Sequence, residues 1–248
     1  MFYKKIVRNE NNWLILLHGL QANHSIYKDI LADEHFSKFS ILAIDFIGFG
    51  KSAKPEESTY DLAEQSKSLI GILNNEKIQN FHIIGHSLGA MIGMILLSQI
   101  GSRVLSFVNL EGNMKIEDCG ESKKLESLAC TEFQNEYYPS LKNELLKSNI
   151  ASHKIRGEFL NEIPDYVFYK SAKSILDWSK KNVLEKYFLE AKCPCLLLIG
   201  EKGSFFSDPK GEHVEKKVIK NSGHFMLLEN PNAVIKEICS FHTKNYYE

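Results

Sequence analysis

A doubly wound α/β sheet is the fold that this sequence of 248 residues predicts. Three observations point to it: short apolar runs bounded by turn residues, segments of helical period between them, and one glycine-flanked turn joining a run directly to a helix. The runs are Trp13–Leu17 (WLILL), Ile41–Asp45 (ILAID), Phe81–Gly85 (FHIIG), Val104–Leu110 (VLSFVNL) and Cys195–Gly200 (CLLLIG). Each is continuously apolar, as a parallel strand buried on both faces should be. A last strand is expected near Lys217–Ile219.

The helical segments carry their own start signals. Ser58-Thr59-Tyr60-Asp61 reads as a capping box, and Leu62, Ser66, Leu69 and Leu73 then recur on one face. Asn230-Pro231 opens the last helix with a cap and a proline at the first helical position, ahead of Val234, Ile235 and Ile238. The alternation breaks once, between residues 113 and 190, where no strand signal occurs and Lys, Glu, Leu, Tyr and Ser dominate. Residues 1–112 and 191–248 are therefore expected to form the core, and 113–190 a helical cap over the ligand crevice at the carboxyl edge of the sheet. Tyr137, Tyr138, Tyr166, Phe168, Tyr169 and Trp178 read as aromatic packing of that cap.

Composition narrows the partners. With 25% charged residues, 44% hydrophobic residues and a formal net charge of -1, the chain has no electrostatic footprint for nucleic acid or an anionic membrane. A small molecule is the expected partner. The opening MFYKKIVRNENNW has no apolar core or cleavage site, and no stretch approaches membrane-spanning length, so the expected location is cytoplasmic. Five scattered cysteines show neither a disulfide framework nor zinc spacing and read as reduced thiols, with Cys193 and Cys195 as small strand-entry residues.

The stretch GFGKS at residues 48–52 imitates the tail of a phosphate-binding loop. Such a loop needs glycine five residues before its second glycine, and that place is held by Asp45, whose carboxylate would repel a phosphate. No helix signal follows Lys51 either. A structural turn is expected there.

Chemistry is concentrated at Gly85-His86-Ser87-Leu88-Gly89, a G-x-S-x-G between strand FHIIG and the helical run MIGMILLSQI. The turn is so sharp that side chains two before or two after the serine would collide. Ser87 is thereby raised above the sheet at the amino end of a helix, where the Leu88 N–H and the helix dipole face negative charge developing on an attacked carbonyl. A serine hydroxyl needs a base. His224, in Asn221-Ser222-Gly223-His224-Phe225 beyond the last strand, is the candidate. Strand WLILL runs into His18-Gly19-Leu20-Gln21, and the Leu20 N–H is the candidate second oxyanion donor. His86 adjoins Ser87 on a turn where neighbours diverge, so it reads as packing; His18 reads as tying down its own loop, and His213 as solvated.

With these motifs in this order, the chain resembles the α/β-hydrolase superfamily, in the capped, cofactor-free branch of esterases, thioesterases, C–C hydrolases and haloalkane dehalogenases. The resemblance runs from His18-Gly19 to Asn230-Pro231 and leaves out the cap. It also explains GFGKS, because members commonly carry D-x-x-G-x-G-x-S there, matched by Asp45, Gly48, Gly50 and Ser52. Dehalogenases and epoxide hydrolases have an aspartate nucleophile where this chain has Ser87, which argues against both.

The acid that would orient the base departs from the commonest pattern. Many relatives carry it after the strand equivalent to CLLLIG, in a G-x-x-D turn, but Gly200-Glu201-Lys202-Gly203 has glycine in that place. Another branch places it one strand earlier, and there VNL runs into Glu111. The resemblance thus implies Ser87, Glu111 and His224 as triad, with Asp208 and Glu201 as rival acids, and it implies neither metal nor cofactor. The expected activity is hydrolysis of a small carboxylic ester or thioester through an acyl-enzyme. C–C bond hydrolysis or a lyase step on a diketone-like substrate, and a non-catalytic small-molecule receptor on the same fold, stay open.

Overall fold

Seven strands form one sheet in the order β1-β3-β2-β4-β5-β6-β7 in a computed structural model that describes residues 1–203 and 207–246. They are β1 (Phe2–Ile6), β2 (Trp13–Leu17), β3 (Ser40–Asp45), β4 (Phe81–His86), β5 (Val104–Leu110), β6 (Cys195–Gly200) and β7 (Val214–Ile219). Every neighbouring pair is parallel except β1, which runs antiparallel to β3. The helices are α1 (Lys28–Ala32), α2 (Leu62–Asn75), α3 (Leu88–Ile100), α4 (Cys130–Glu132), α5 (Tyr138–Lys147), α6 (Ala151–Asn161), α7 (Asp165–Lys180), α8 (Leu184–Leu189), α9 (Met226–Glu229) and α10 (Pro231–Tyr246).

Strand alternation divides the core into two layers. Ile15, Leu17 and Ile83 face the layer that holds α2, α3 and α8, whereas Leu14, Leu16 and Ile84 face the layer of α1 and α10. Helix α3 is buried from Leu88 to Leu97, since the sheet covers one side and α2 and α8 the other. Both sheet edges are polar. β1 (FYKKI) and β7 (VEKKVI) carry paired lysines at their centres, a pattern that discourages pairing with another chain. That polarity hid β1 from the apolar-run reading and shortened β7 to its last residues.

Helix α2 begins later than its sequence signal. Tyr60 adopts φ 56°, a left-handed conformation that no helix continues through, and Asp61 is the N-cap, accepting from the Ala63 N–H at 2.8 Å. The helical capping box expected at Ser58–Asp61 is thus corrected to a turn followed by a single Asp cap. The other oxygen of Asp61 accepts from Ser174 Oγ at 3.0 Å and Trp178 Nε1 at 3.1 Å, holding α7 against α2. Trp178 is therefore an anchor to the core as much as a packing residue.

Between β5 and β6 the described chain is helical throughout its regular elements. Phe133 lies among Tyr137, Tyr138, Phe168 and Tyr169 with ring centroids 5.2–5.8 Å from its own, an aromatic cluster that packs the helical turn Phe133–Tyr137 and the start of α5 against α7. Helix α8 returns to the sheet, where Phe188 meets Phe107 edge-on at 5.8 Å.

The GFGKS turn is wound around a carboxylate. Asp45 accepts from the N–H groups of His24 at 2.7 Å and Lys51 at 2.9 Å, so the amide that a phosphate would need is already taken. Gly50 sits at φ 48°, and a Cβ there would overlap the Asp45 carboxylate. Ser52 Oγ donates to the Asp45 carbonyl and accepts from the Phe2 N–H, fastening β1 to the turn. Among the described residues no helix is long and apolar enough to cross a membrane.

Candidate active site

The site is assembled from the carboxyl ends of four strands. β4 delivers Ser87 at φ 52° and ψ -119°, a region that L residues rarely occupy and that costs about 1–3 kcal/mol. The surroundings hold it there. The Ser87 N–H donates to the Leu110 carbonyl at 2.9 Å, and a Cβ at Gly89 would overlap the Leu17 carbonyl, so α3 packs directly on the end of β2. The Ser87 side chain makes no cap bond to its own helix. Leu88 opens α3, where the first N–H groups have no intrahelical acceptor, and Leu20 lies in the turn after β2. Gly19 brings that turn against the elbow: a Cβ there would lie 2.7 Å from His86 Nδ1 and 3.2 Å from Ser87 Cβ.

β5 delivers Glu111 at φ 50°, turned inward by a loop in which Asn109 Oδ1 accepts from the Gly112 N–H at 2.6 Å. Glu111 is 3% exposed. Its Oε1 accepts from the Gly200 N–H at 2.7 Å, and its Oε2 from His224 Nδ1 at 2.7 Å. A carboxylate only accepts, so Nδ1 carries the proton and Nε2 of a neutral ring keeps its lone pair. The rival acids are engaged elsewhere: Asp208 pairs with Lys216 at 2.8 Å, and Glu201 accepts from the Asn221 N–H at 2.9 Å.

The loop after β7 positions His224. His86 Nε2 donates to the His224 carbonyl at 2.8 Å, and Ser222 Oγ donates to the Ile219 carbonyl at 3.0 Å. Burial pushes the His86 pKa down to about 3, with the neighbouring His224 adding to the shift, so at neutral pH His86 is an uncharged donor. His18 is also buried and lowered to about 4 by desolvation. Its Nδ1 donates to the Gly19 carbonyl at 2.8 Å while Nε2 accepts from the Phe46 N–H at 3.2 Å, which ties the Leu20 turn to the end of β3.

Leu20, Ser87, Glu111 and His224 border one cavity of about 290 Å³. Leu125, Tyr137, Phe168 and Ile175 give it an apolar wall from the helical segment, and Gln21, Asn113, Asp118 and Arg156 give it polar groups. Asp118 is held in place by the Ser207 N–H at 2.8 Å and the Met114 N–H at 3.0 Å. Gln21 and Arg156 carried no signal in the sequence: one follows the oxyanion candidate without a motif, and the other is a single arginine on a polar helix.

All five cysteines are free. Asp33, His35 and Cys239 bring donor atoms within 4.8 Å of one another, but His35 Nδ1 already bonds Asp33 Oδ1 at 2.8 Å and none of the three lines the cavity.

Residues 12–157 match the family described as the alpha/beta hydrolase fold. The chain belongs to that family. A relative described as a putative esterase/lipase from Haemophilus influenzae is 23% identical over 250 residues, covering 94% of this chain and 83% of the relative. Among solved structures, a carboxylesterase from the thaumarchaeon Nitrososphaera gargenis superposes with a TM-score of 0.82 at 16% identity, over 98% of this chain and 94% of that one. MenH from S. aureus gives 0.81 at 16% identity over 98% of each chain. At these identities the superpositions establish a shared alpha/beta hydrolase fold.

Proposed function

We propose that this chain is a serine hydrolase that cleaves a small carboxylic ester or thioester through an acyl-enzyme. One observation carries the reading: the Glu111–His224 pair, 2.7 Å apart, borders the same cavity as a serine held on a left-handed elbow. In this reading Ser87 Oγ attacks the carbonyl carbon while His224 Nε2 takes its proton. The same nitrogen then returns that proton to the leaving alcohol or thiol. Water, deprotonated by His224, hydrolyses the acyl-Ser87 ester in the second half.

Glu111 keeps the proton on Nδ1 and stabilises the imidazolium that forms in each half. The Leu20 and Leu88 N–H groups hold the oxyanion, each removing about 3–4 kcal/mol from the barrier if typical of such donors. The names of the Haemophilus and Nitrososphaera proteins support ester cleavage as the reaction class. The helical segment between β5 and β6 acts as the cap. It closes the cavity with Leu125, Phe168 and Ile175, and a volume of about 290 Å³ favours a small substrate.

A fluorophosphonate probe tests the reading. Wild-type chain should be labelled once and Ser87→Ala not at all, and a panel of esters and thioesters of rising acyl length should then define the substrate. A folded wild-type chain that resists the probe would instead be a receptor on the hydrolase fold.

A further inference from the structure

Among the described residues of helix α6, Arg156 borders the cavity. Arg156 Nε and Nη2 both donate to Gln21 Oε1, at 2.9 and 2.6 Å, and the guanidinium carbon lies 4.0 Å from the centroid of the Phe225 ring. Gln21 follows Leu20, and Phe225 follows His224. The guanidinium therefore spans the two loops that carry the oxyanion candidate and the base candidate. Phe225 passes the contact on, because its ring stands edge-on to His224 at 5.3 Å and to His86 at 5.5 Å. A second bond docks the same helix on the same loop: Asn23 Nδ2 donates to Glu162 Oε2, just past the end of α6, at 3.1 Å.

Resting on the serine-hydrolase reading, we propose that Arg156 is a positioning residue, a latch by which seating of α6 fixes the Leu20 loop and the His224 loop at once. The guanidinium suits this role because its planar fork bonds one partner in-plane while its face stacks on another. An ammonium has neither the fork that grips one oxygen with two N–H groups nor the flat face that stacks on a ring. Gln21 is buried at 5% exposure, so it has little freedom to find another place for its oxygen. When α6 lifts, both contacts break together, and the oxyanion donor and the base lose their common reference. Cap seating and site assembly become one event.

The test uses the full chain, a neutral short-chain ester and the fluorophosphonate probe, with Arg156→Ala, Arg156→Lys, Gln21→Ala and the Arg156→Ala/Gln21→Ala pair. Loss of two charge-assisted bonds at a positioning contact should lower kcat and the labelling rate at least about tenfold in Arg156→Ala, with KM nearly unchanged. Arg156→Lys, which keeps the charge without the fork, should stay impaired. The double variant should be no slower than the worse single one, because both substitutions remove the same two Arg156–Gln21 bonds. Labelling of Arg156→Ala at the wild-type rate, full rescue by lysine, multiplying effects in the double variant, or a rise in KM alone would each overturn the latch while leaving the serine reading intact. A wild-type chain that takes no label overturns the serine reading, and the latch with it.

Discussion

A Cβ placed on Gly203 would lie 2.8 Å from Oε1 of Glu111, so the carboxylate fills the space that a side chain at 203 would need. The two positions are alternatives. Position 203 is where the sequence pattern of many alpha/beta hydrolases carries an acid, and here glycine leaves that volume to a carboxylate arriving from β5. Glu111→Gln should therefore lower kcat by orders of magnitude with little change in KM, because an amide cannot balance the imidazolium. Asp208→Asn and Glu201→Gln, whose carboxylates are engaged at the surface, should stay within a few-fold of wild type. Steady-state kinetics on one chromogenic ester decides among the three, and a crippled Asp208→Asn beside an intact Glu111→Gln would move the acid to the later loop.

Gly203→Ala should be the quieter version of the same experiment. The added methyl leaves every functional group in place yet pushes on Oε1, which also holds the Gly200 N–H. Lower kcat with an unchanged unfolding midpoint is the expected result. An inert Gly203→Ala would mean that Glu111 has room to withdraw without consequence.

Much of this site was legible because its chemistry is local. G-x-S-x-G needs only one strand-turn-helix, and Ser87, Leu88, His224 and Leu20 are each announced by small residues beside them. Glu111 required a resemblance, since one glutamate after a strand has no local signature. Its partnership with His224 spans 113 positions of sequence and is made by the adjacency of β5, β6 and β7. Arg156 was illegible for the same reason in stronger form, as 135 positions separate it from Gln21. The fold shows a parallel contrast. Central strands announce themselves by continuous apolarity, while β1 and β7 are half-solvated edges whose lysines look like surface loop.

Ser87→Gly separates strain from function. At φ 52° the serine side chain costs about 1–3 kcal/mol, and glycine removes that cost while losing about 0.5–1 kcal/mol to its greater freedom in the unfolded chain. The glycine variant should be inactive, unlabelled by fluorophosphonate, and more resistant to urea than Ser87→Ala, which keeps a Cβ in the same conformation. A glycine variant with a clearly lower urea midpoint than the alanine variant would show that the elbow is not strained.

Acid should weaken the fold through histidines before carboxylates. Burial lowers the pKa of His18 and His82 to about 4 and of His86 and His242 to about 3, with Lys38 adding to the shift of His82 and His242. In the unfolded chain each titrates near about 6.5. The unfolded state then binds the extra protons, so their stabilisation is full above about pH 6.5 and declines as pH falls toward the folded values. One unit below 6.5 the loss is about 1 kcal/mol per histidine. Urea midpoints should thus fall steadily from pH 7 to pH 5, and His242→Phe should flatten that slope. A midpoint constant across this window would mean that these rings are not held neutral by the fold.

The apolar wall should set acyl length. Ile175 is 2% exposed and borders the cavity from α7, on the helix that Asp61 and Ser174 anchor to the core, so the wall at this point is fixed relative to Ser87. Ile175→Val removes one methylene at a cost of about 0.5–1.5 kcal/mol in stability, small enough to leave the chain folded. The space gained accepts about one methylene of substrate, worth roughly 0.8 kcal/mol or about fourfold in kcat/KM. Across straight-chain esters the optimum should move one carbon longer, with rates on the shortest acyl groups nearly unchanged because they do not reach the wall. Leu62→Val, also buried but outside the cavity lining, should cost similar stability and leave the profile where it was. If both variants shift the profile alike, selectivity follows general loosening of the fold, and Ile175 is not the sieve.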